Sequence, residues 1–214
     1  SKDQLDAFAL ESHQKAIRAT ESGAFEKEIV GVEIETPEGE ACHTVDEGIR
    51  FDATLEGIAG VKLLSPDGKI TAASASQICD GSSAVMVVSE RALKEYGLTP
   101  LARILSYSWA GCDPRRMGLG PVFASAAALA EADCRLSDVG VVELNEAFAA
   151  QVLACERAFA SKEFAKEHLG TSKAVGTLHL DRTNKNGGAI ALGHPVGATG
   201  ARLLLTAAHE LVES

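Results

Sequence analysis

The residues best suited to chemistry lie in a glycine-rich stretch at 184–202, which reads NKNGGAIALGHPVGATGAR. Glycine at this density allows positive φ angles and a close approach of the backbone to a ligand. Within the stretch, His194 lies between Gly193 and Pro195, and the fixed φ of proline presents the imidazole in a defined direction. The N–H groups near 198–200, where a helix is predicted to begin, suit an anion or an oxyanion. The pattern therefore predicts a catalytic loop.

A plainer interpretation competes with this one, because a glycine-rich turn also lets a helix pack closely on a strand. The spacing of Gly193, Gly197 and Gly200 is not GxGxxG, and no Lys-Ser or Lys-Thr pair completes a phosphate-binding loop, so nucleotide motifs are excluded here. Taken alone, His194 is more often a satisfied turn residue than a catalyst.

The composition predicts an α/β protein of one large domain or two small ones. The chain has 214 residues, 46% of them hydrophobic, and a net charge of −10, most of it in the first 80 residues. This acidity argues against nucleic acid as a partner, and no run of eighteen apolar residues offers a membrane span. The five cysteines are scattered and lack CxxC spacing, which predicts free thiols in a reducing compartment rather than disulfides or a zinc site.

Apolar periodicity predicts strands and helices in alternation. The predicted helices are 1–21 with Gly23 at its end, 91–96 ended by Gly97, 121–132, 145 to about 164, and 198–212. The predicted strands are 29–35, 84–88, 103–108, 139–144 and a strand or hairpin edge at 174–181. Such alternation implies a mostly parallel sheet with helices on its faces.

Four sequence blocks resemble one family, the thiolases. GGAIALGHPVGATGAR is similar to their histidine-bearing signature, and the NEAFA block at 145–149 to their asparagine motif. TAASASQICDGSSAVMVVS at 71–89 and MGLGP at 117–121 resemble two further blocks, and all four occur in the family's order.

This resemblance implies a thiolase-like layered α-β-α-β-α fold that is incomplete in this chain. In the family, two similar βαβαβαββ halves stack into five layers. Residues 1–78 would be the later part of the inserted loop domain, 79–98 the end of the N-terminal core half, and 99–214 most of the C-terminal core half.

The resemblance also implies an acyl-CoA acyltransferase, which cleaves 3-ketoacyl-CoA by thiolysis or runs the reverse Claisen condensation through an acyl-cysteine. His194 would activate the nucleophilic cysteine and donate a hydrogen bond to the thioester oxygen. Imidazole can act as a base near pH 7 because its ordinary pKa is about 6.5. Asn145 would hold the water that completes the oxyanion hole, although an asparagine before a helix is very often just its N-cap.

Five further residues match positions that bind the CoA thioester in the family. Arg50 matches an arginine near the nucleotide end, Ser76 a serine beside the pantetheine, and Gly193 the residue before the histidine. Met117 and Phe148 match positions that line the pantetheine and acyl pocket; without the resemblance, both would be assigned to the core. No cofactor is implied beyond coenzyme A itself, as substrate and product.

The chain departs from the family at its cysteines. In the family, the nucleophilic cysteine belongs to a motif that lies upstream of all the residues present here. The family's second cysteine belongs to a motif that lies downstream of the position of Ser214. None of the five cysteines has either context, so this segment alone is expected to be inactive. Gln77 and Cys79 also replace a more typical Gly and Asn.

Two other functions stay open. A ketoacyl synthase of the same fold is disfavoured, because such enzymes use different sequence motifs. The other alternative is a non-catalytic thiolase-like half that binds acyl-CoA or lipid, or assembles with a partner. The absence of both cysteine motifs is compatible with it. The resemblance implies a homodimer or homotetramer with acyl-CoA and CoA as ligands. The N-terminus lacks the form of a signal peptide, so the predicted location is cytoplasmic, or an organelle matrix in a eukaryote.

Overall fold

A computed structural model describes residues 1–213, in which helices are the dominant element. The α-helices are α1 (Lys2–Glu21), α2 (Leu55–Ala59), α3 (Glu90–Tyr96), α4 (Gly120–Glu131), α5 (Ala149–Ala160), α6 (Lys162–Phe164), α7 (Ala189–Leu192) and α8 (Thr199–Glu213). Short 3₁₀ turns lie at Ala72–Ser74, Pro114–Leu119, Leu136–Asp138 and Leu180–Arg182, and a π turn at Ala165–Leu169. Strands β1 (Val32–Thr36) and β2 (Gly39–His43) form an antiparallel hairpin.

Helix α1 confirms the first predicted helix and has well-formed ends. The Ser1 hydroxyl accepts from the Gln4 N–H, and the amino terminus donates to the Gln4 side chain, so the first turn has a capping box. After the last turn, Gly23 adopts φ 76° and the Ala24 N–H donates to the Ala19 carbonyl at 2.9 Å. This Schellman-type end requires a left-handed residue, which is why glycine stands there.

The core lies where α1 crosses α2, α5 and α7. Apolar residues on one side of α1 are buried against these helices, in a cluster made of Leu5, Ala9, Ile58, Ala149 and Ile190. A second cluster lies between α4, α5 and the chain that follows them, and includes Val122, Leu144, Val152, Phe159 and Leu178. Helices α5 and α7, which flank the two predicted catalytic residues, are therefore anchored from several sides.

Most predicted helices are confirmed with small shifts of their ends. The helices predicted at 91–96, 121–132 and 198–212 correspond to α3, α4 and α8. The helix predicted from residue 145 begins instead at Ala149, because Phe148 (φ −149°, ψ 141°) is extended. Asn145 is thus not the N-cap of this helix.

The predicted parallel sheet is not formed among residues 1–213. The strand predicted at 29–35 is present as Val32–Thr36, but 84–88, 103–108 and 174–181 contain no strand. Apolar side chains in the first two of these segments remain exposed, including Met86, Val87, Ile104 and Leu105. A strand needs hydrogen bonds to a neighbouring strand, and the described chain gives these segments none. An apolar run predicts where a strand can form but does not supply its partner.

One short parallel contact survives from the predicted sheet. The Val142 N–H donates to the Arg182 carbonyl at 3.1 Å, and the Val142 carbonyl accepts from the Asn184 N–H at 2.9 Å. This bridge holds the segment that leads into Asn145 beside the segment that leads into His194. Within residues 1–213, no helix is both long and apolar enough to cross a membrane.

Candidate active site

The buried side chain of Asn184 extends the contact between these two segments. Its Oδ1 accepts from the Leu144 N–H and its Nδ2 donates to the Leu144 carbonyl, both at 2.8 Å, so the side chain replaces a strand partner. Asn184 has φ 48°, a left-handed conformation that asparagine tolerates better than most residues. Residue 145 is therefore held in place by the backbone immediately before it.

Glu146 joins this arrangement to α1 and α7. Its carboxylate is 2% exposed and accepts from the Ser12 hydroxyl at 2.6 Å, from Asn184 Nδ2 at 2.9 Å and from the Ile190 N–H at 3.3 Å. The Ser12 hydroxyl in turn accepts from the Gly188 N–H. Burial raises the pKa of Glu146, while the donors from Ser12, Asn184 and Ile190 act against that rise. Since every contact donates, the geometry suits the ionised carboxylate.

The turn after α7 brings His194 towards Asn145. Gly193 has φ 91°, which favours glycine, and a Cβ there would overlap the Cys79 sulfur. The His194 N–H then donates to the Gln77 carbonyl at 3.1 Å. Backbone contacts therefore fix the start of the imidazole-bearing turn.

The imidazole of His194 is hydrogen-bonded through both ring nitrogens. Nδ1 lies 2.7 Å from the Thr199 hydroxyl, which itself donates to the Pro195 carbonyl at 3.1 Å. Because its own proton is engaged with Pro195, the Thr199 oxygen accepts from Nδ1–H. Nε2 lies 3.2 Å from Asn145 Nδ2, and with the amide in this orientation Nδ2 can only donate, which assigns Nε2 as the unprotonated acceptor. Among the ring's two neutral tautomers, this one exposes a basic nitrogen on the Asn145 side.

The side chain of Asn145 shows a spare acceptor. While its Nδ2 faces His194, its Oδ1 is buried and has no hydrogen-bond partner among the described residues. The alternative interpretation as a helix N-cap is wrong, since α5 begins four residues later with Phe148 at its cap. The amide is instead directed at the imidazole.

Ser76 and Phe148, both half-buried, lie next to each other. The Ser76 N–H donates to the Ala147 carbonyl at 3.0 Å, and Ala75 forms an antiparallel bridge with Phe148. These contacts place both residues at the end of the segment that carries Asn145.

Met117 lies beside the first turns of α5, which follow Phe148 directly. The Cys155 thiol donates to the Gly118 carbonyl at 3.1 Å, and a Cβ on Gly118 would lie 2.8 Å from Gln151. Assignment of Met117 to the core is wrong, because its side chain is 71% exposed.

Arg50 has an exposed side chain on a segment that packs against the same region. Its N–H donates to Nδ1 of the buried His13 at 3.2 Å, and the Gln77 side chain donates to the nearby Gly48 carbonyl at 2.7 Å. Burial, and then the charge of Arg50, lower the pKa of His13, which keeps its Nδ1 available as an acceptor.

The five cysteines are free thiols, but none is hydrogen-bonded to His194 within residues 1–213. Cys42 and Cys79 are exposed, whereas Cys155 is buried and its pKa is raised by that burial. Over the same residues, no group of three metal-binding side chains is close enough to hold a metal ion.

A second buried carboxylate, Glu143, is satisfied far less well than Glu146. It lies 3.9 Å from the Arg202 guanidinium, yet both of its oxygens lack a hydrogen-bond partner among the described residues. Burial raises the pKa of Glu143 to about 8, with Arg202 acting against the rise and Glu146 and Glu28 adding to it. This carboxyl is costly to ionise in the folded chain.

Replacing Glu143 with glutamine should stabilise the fold above neutral pH. The folded pKa of about 8 exceeds the ordinary 4.5, so the native state holds a proton that the unfolded state releases. Stability should therefore fall as pH rises from 4.5 towards 8, by up to about 1.4 kcal/mol per pH unit. Urea unfolding of the full-length protein at pH 5 and pH 8 measures this effect. The free energy of unfolding should decrease less between the two pH values in E143Q than in the wild type, and equal decreases would contradict the prediction.

Sequence reasoning missed several residues that organise the site. Glu146 and Thr199 lie inside the recognised blocks, next to the residues that were singled out, and could have been examined for that reason. Ser12 and Asn184 carried no signal of their own, because their partners lie 134 and 40 positions away along the chain.

Comparison with known families gives matches over almost the whole chain. The family described as Thiolase, N-terminal domain matches residues 1–91, and the family described as Thiolase, C-terminal domain matches residues 98–214.

Curated relatives match at similar levels. The chain is 41% identical over 212 residues to the mitochondrial 3-ketoacyl-CoA thiolase of Homo sapiens, covering 99% of this chain and 49% of that protein. It is 44% identical over 215 residues to the beta-ketoadipyl-CoA thiolase of Pseudomonas aeruginosa, covering 100% and 50%. The chain thus spans about half the length of the curated relatives it matches.

Solved structures agree with these matches. Human mitochondrial 3-ketoacyl-CoA thiolase in complex with CoA aligns with a TM-score of 0.87 at 40% identity, over 100% of this chain and 49% of that one. The acetyl-CoA acetyltransferase of Bacillus anthracis aligns with a TM-score of 0.87 at 41% identity, over 100% and 50%. The predicted fold class, a thiolase-like layered α/β fold of which this chain holds a part, is confirmed. On sequence, fold and the pairing of its asparagine and histidine blocks, the chain belongs to the thiolase family.

Proposed function

We propose that the full-length protein is an acyl-CoA acyltransferase of thiolase type, which cleaves 3-ketoacyl-CoA with CoA or runs the reverse condensation. The observation that carries this proposal is the chain of contacts from Asn145 through His194 to Thr199, which selects the tautomer of a base. Relatives named as thiolases and a relative solved with CoA support the substrate class.

The geometry supports two functions for the His194 imidazole, as a general base and as a donor to the oxyanion. Nε2 of His194 takes the proton of an approaching thiol, and Nδ1–H stays on Thr199, so the charge that forms on the ring is stabilised. The thiolate adds to the 3-keto carbon, and the C2–C3 bond breaks with its electron pair on C2, which leaves the acyl group as a thioester on the cysteine. C2 takes a proton from an acid group that, like the nucleophile, lies outside this sequence, and acetyl-CoA is released. The CoA thiol then gives its proton back to that group and attacks the thioester carbon, so that acyl-CoA forms and the cysteine leaves as a thiolate. Once protonated, Nε2–H beside Asn145 Nδ2 provides donors for the oxyanion.

The nucleophile in this proposal is not one of the five cysteines described above. None is hydrogen-bonded to His194 among the described residues, and the Cys79 sulfur occupies the position that a Cβ on Gly193 would take. We infer that the thiolate is supplied from outside this sequence in the full-length protein, and that this segment alone is inactive.

Arg50, Ser76, Met117, Phe148 and Gly193 are proposed to bind the CoA thioester. In support of this, Gly193 directly precedes His194, and Ser76 and Phe148 are held by backbone contacts beside the segment that carries Asn145. Arg50 and Met117 have the exposed side chains that ligand binding requires. The predicted homodimer or homotetramer also remains a proposal; sedimentation of the full-length protein tests it, and a monomer at assay concentrations would count against it.

The deciding experiment is a thiolysis assay of the full-length protein with acetoacetyl-CoA and CoA, paired with calorimetry of CoA binding. An acyltransferase should turn over and form an acyl-cysteine that is detectable by intact mass. Binding of CoA without turnover would instead favour the alternative function, a non-catalytic half that binds acyl-CoA.

Thr199 provides a more specific test of the tautomer. Replacing it with valine removes the acceptor for Nδ1–H at nearly constant volume, so kcat/KM should fall about tenfold, the kinetic equivalent of one hydrogen bond. Replacing it with serine keeps the hydroxyl and should retain most activity. If T199S loses as much activity as T199V, the hydroxyl alone does not account for the effect, and the role proposed for Thr199 fails.

A further inference from the structure

The half-buried side chain of Gln77 joins two segments of the site that are distant in the sequence. Its Nε2 donates to the Gly48 carbonyl at 2.7 Å and to the Ile190 carbonyl at 3.0 Å, with the Ala191 carbonyl at 3.3 Å. Gly48 lies two residues before Arg50, whereas Ile190 and Ala191 belong to α7, just before His194. One amide group therefore contacts both the CoA-binding and the catalytic segments.

Helix α7 creates the need for this donor. The carbonyls of the last helical turn have no partner within a helix, and α7 has only four residues. Gln77 Nε2 has two hydrogens for three carbonyls, those of Ile190, Ala191 and Gly48, so one hydrogen is shared between two acceptors. The Gln77 backbone carbonyl adds a separate contact by accepting from the His194 N–H.

Packing between the joined segments is close. A Cβ on Gly48 would lie 2.6 Å from the Ala191 carbonyl oxygen and 3.0 Å from Gln77 Nε2, so the backbones meet without an intervening side chain. Ile49 is buried in the same cluster as Ala191 and Leu192. A shift of α7 relative to this segment would therefore move Arg50.

The two joined segments depend on Gln77 unequally. The imidazole of His194 is held by Thr199 and Asn145, and α7 is also held by Glu146 through the Ile190 N–H. The segment before Arg50 has fewer hydrogen bonds to side chains, namely those of Gln77 at Gly48 and of His13 at the Arg50 N–H. Loss of the Gln77 amide should loosen Arg50 more than His194.

We propose that Gln77 is a positioning residue that sets the place of Arg50 relative to His194, and thereby couples recognition of the CoA nucleotide to the catalytic loop. This inference rests on the proposed function.

The test compares two substrates in the full-length protein with Gln77→Met, which keeps the side-chain volume and removes both donors. KM for acetoacetyl-CoA should rise about tenfold, the equivalent of a lost hydrogen bond or two, with kcat changed by less than about threefold. The acetoacetyl thioester of N-acetylcysteamine lacks the nucleotide, so its kcat/KM should change by less than about twofold. If Gln77 has only a structural role, the substitution should lower kcat/KM by the same factor for both substrates, and that result would overturn the proposal.

A double-mutant cycle with Arg50→Ala isolates the coupling. If Gln77 acts through Arg50, adding Gln77→Met to R50A should raise KM for the CoA substrate little further, and fully additive effects would overturn the inference. If the methionine variant fails to fold, Gln77→Gly is the second variant. It introduces the residue that is more typical of the family, removes the same donors and should give the same pattern.

The outcome is distinguishable from failure of the proposed function. If the wild-type protein binds CoA but shows no thiolysis, the proposed activity fails, and the same cycle is run on the dissociation constant for CoA. An unchanged dissociation constant in Gln77→Met would then overturn the inference by itself.

Discussion

Alanine at position 194 is expected to lower kcat/KM of the full-length protein for 3-ketoacyl-CoA by about 10²-fold or more, the usual contribution of a positioned general base and oxyanion donor. The reason is that one ring performs both tasks. Nε2 is the acceptor that faces Asn145, and Nδ1–H is secured by Thr199, so no neighbouring group in the described chain can substitute. Initial rates of acetoacetyl-CoA cleavage at saturating CoA measure the effect.

A matched histidine controls for nonspecific damage. His179 is exposed, and its described contacts with Thr183 and Arg182 use only its backbone carbonyl, so H179A should retain activity within about twofold, in line with other surface substitutions. The melting temperature of H194A should stay close to wild type, because the imidazole is only half-buried. Near-normal turnover by a folded H194A protein would remove the basis of the acyltransferase proposal.

The pairing of His194 with Asn145 was predictable because each lies in a recognisable block. The sequence could not reveal how the two blocks meet, since that depends on Asn184 imitating a strand partner for Leu144. The amide of Asn145 was expected either to hold a water or to cap a helix, and direct contact with the imidazole was not foreseen.

The strands show where periodicity alone fails. Residues 84–88 and 103–108 have the apolar pattern of buried strands, but hydrogen bonds come from a neighbour that the pattern does not identify. Helices were predicted much better, because α1, α3, α4 and α8 satisfy their own backbone within one segment and carry recognisable ends. In the unpaired segment at 103–108, the apolar side chains of Ile104 and Leu105 remain exposed to solvent.

Contacts at long range were the least predictable part of the site. Gln77 was noticed only as a replacement for a typical glycine, and its three carbonyl partners could not be inferred from the sequence. Ser12 appears in a helix as an ordinary buried small residue, yet it supports the carboxylate of Glu146. Each of these side chains satisfies backbone groups that become buried only when distant segments pack together.

Two buried carboxylates three residues apart should respond to the same substitution with opposite signs. Glu146→Gln is expected to lower the free energy of unfolding by about 2 kcal/mol, the cost of leaving a buried donor unpaired. The carboxylate receives only donors, so an amide must direct its own N–H groups at Asn184 or at the Ile190 N–H. Asn184 cannot flip to accept, because its oxygen and nitrogen are both engaged with Leu144.

The same change at Glu143 removes a charge that burial disfavours and that no described donor satisfies, so E143Q should be neutral or stabilising at pH 8. Urea unfolding of both variants at that pH provides the comparison, with identical chemistry at each site. Because Glu146 also holds the Ile190 N–H of α7, E146Q should lower kcat as well, whereas E143Q should leave it nearly unchanged. If both variants are destabilised equally, loss of a buried charge determines the effect. The number of hydrogen bonds that the carboxylate accepts would then not matter, which would contradict the prediction.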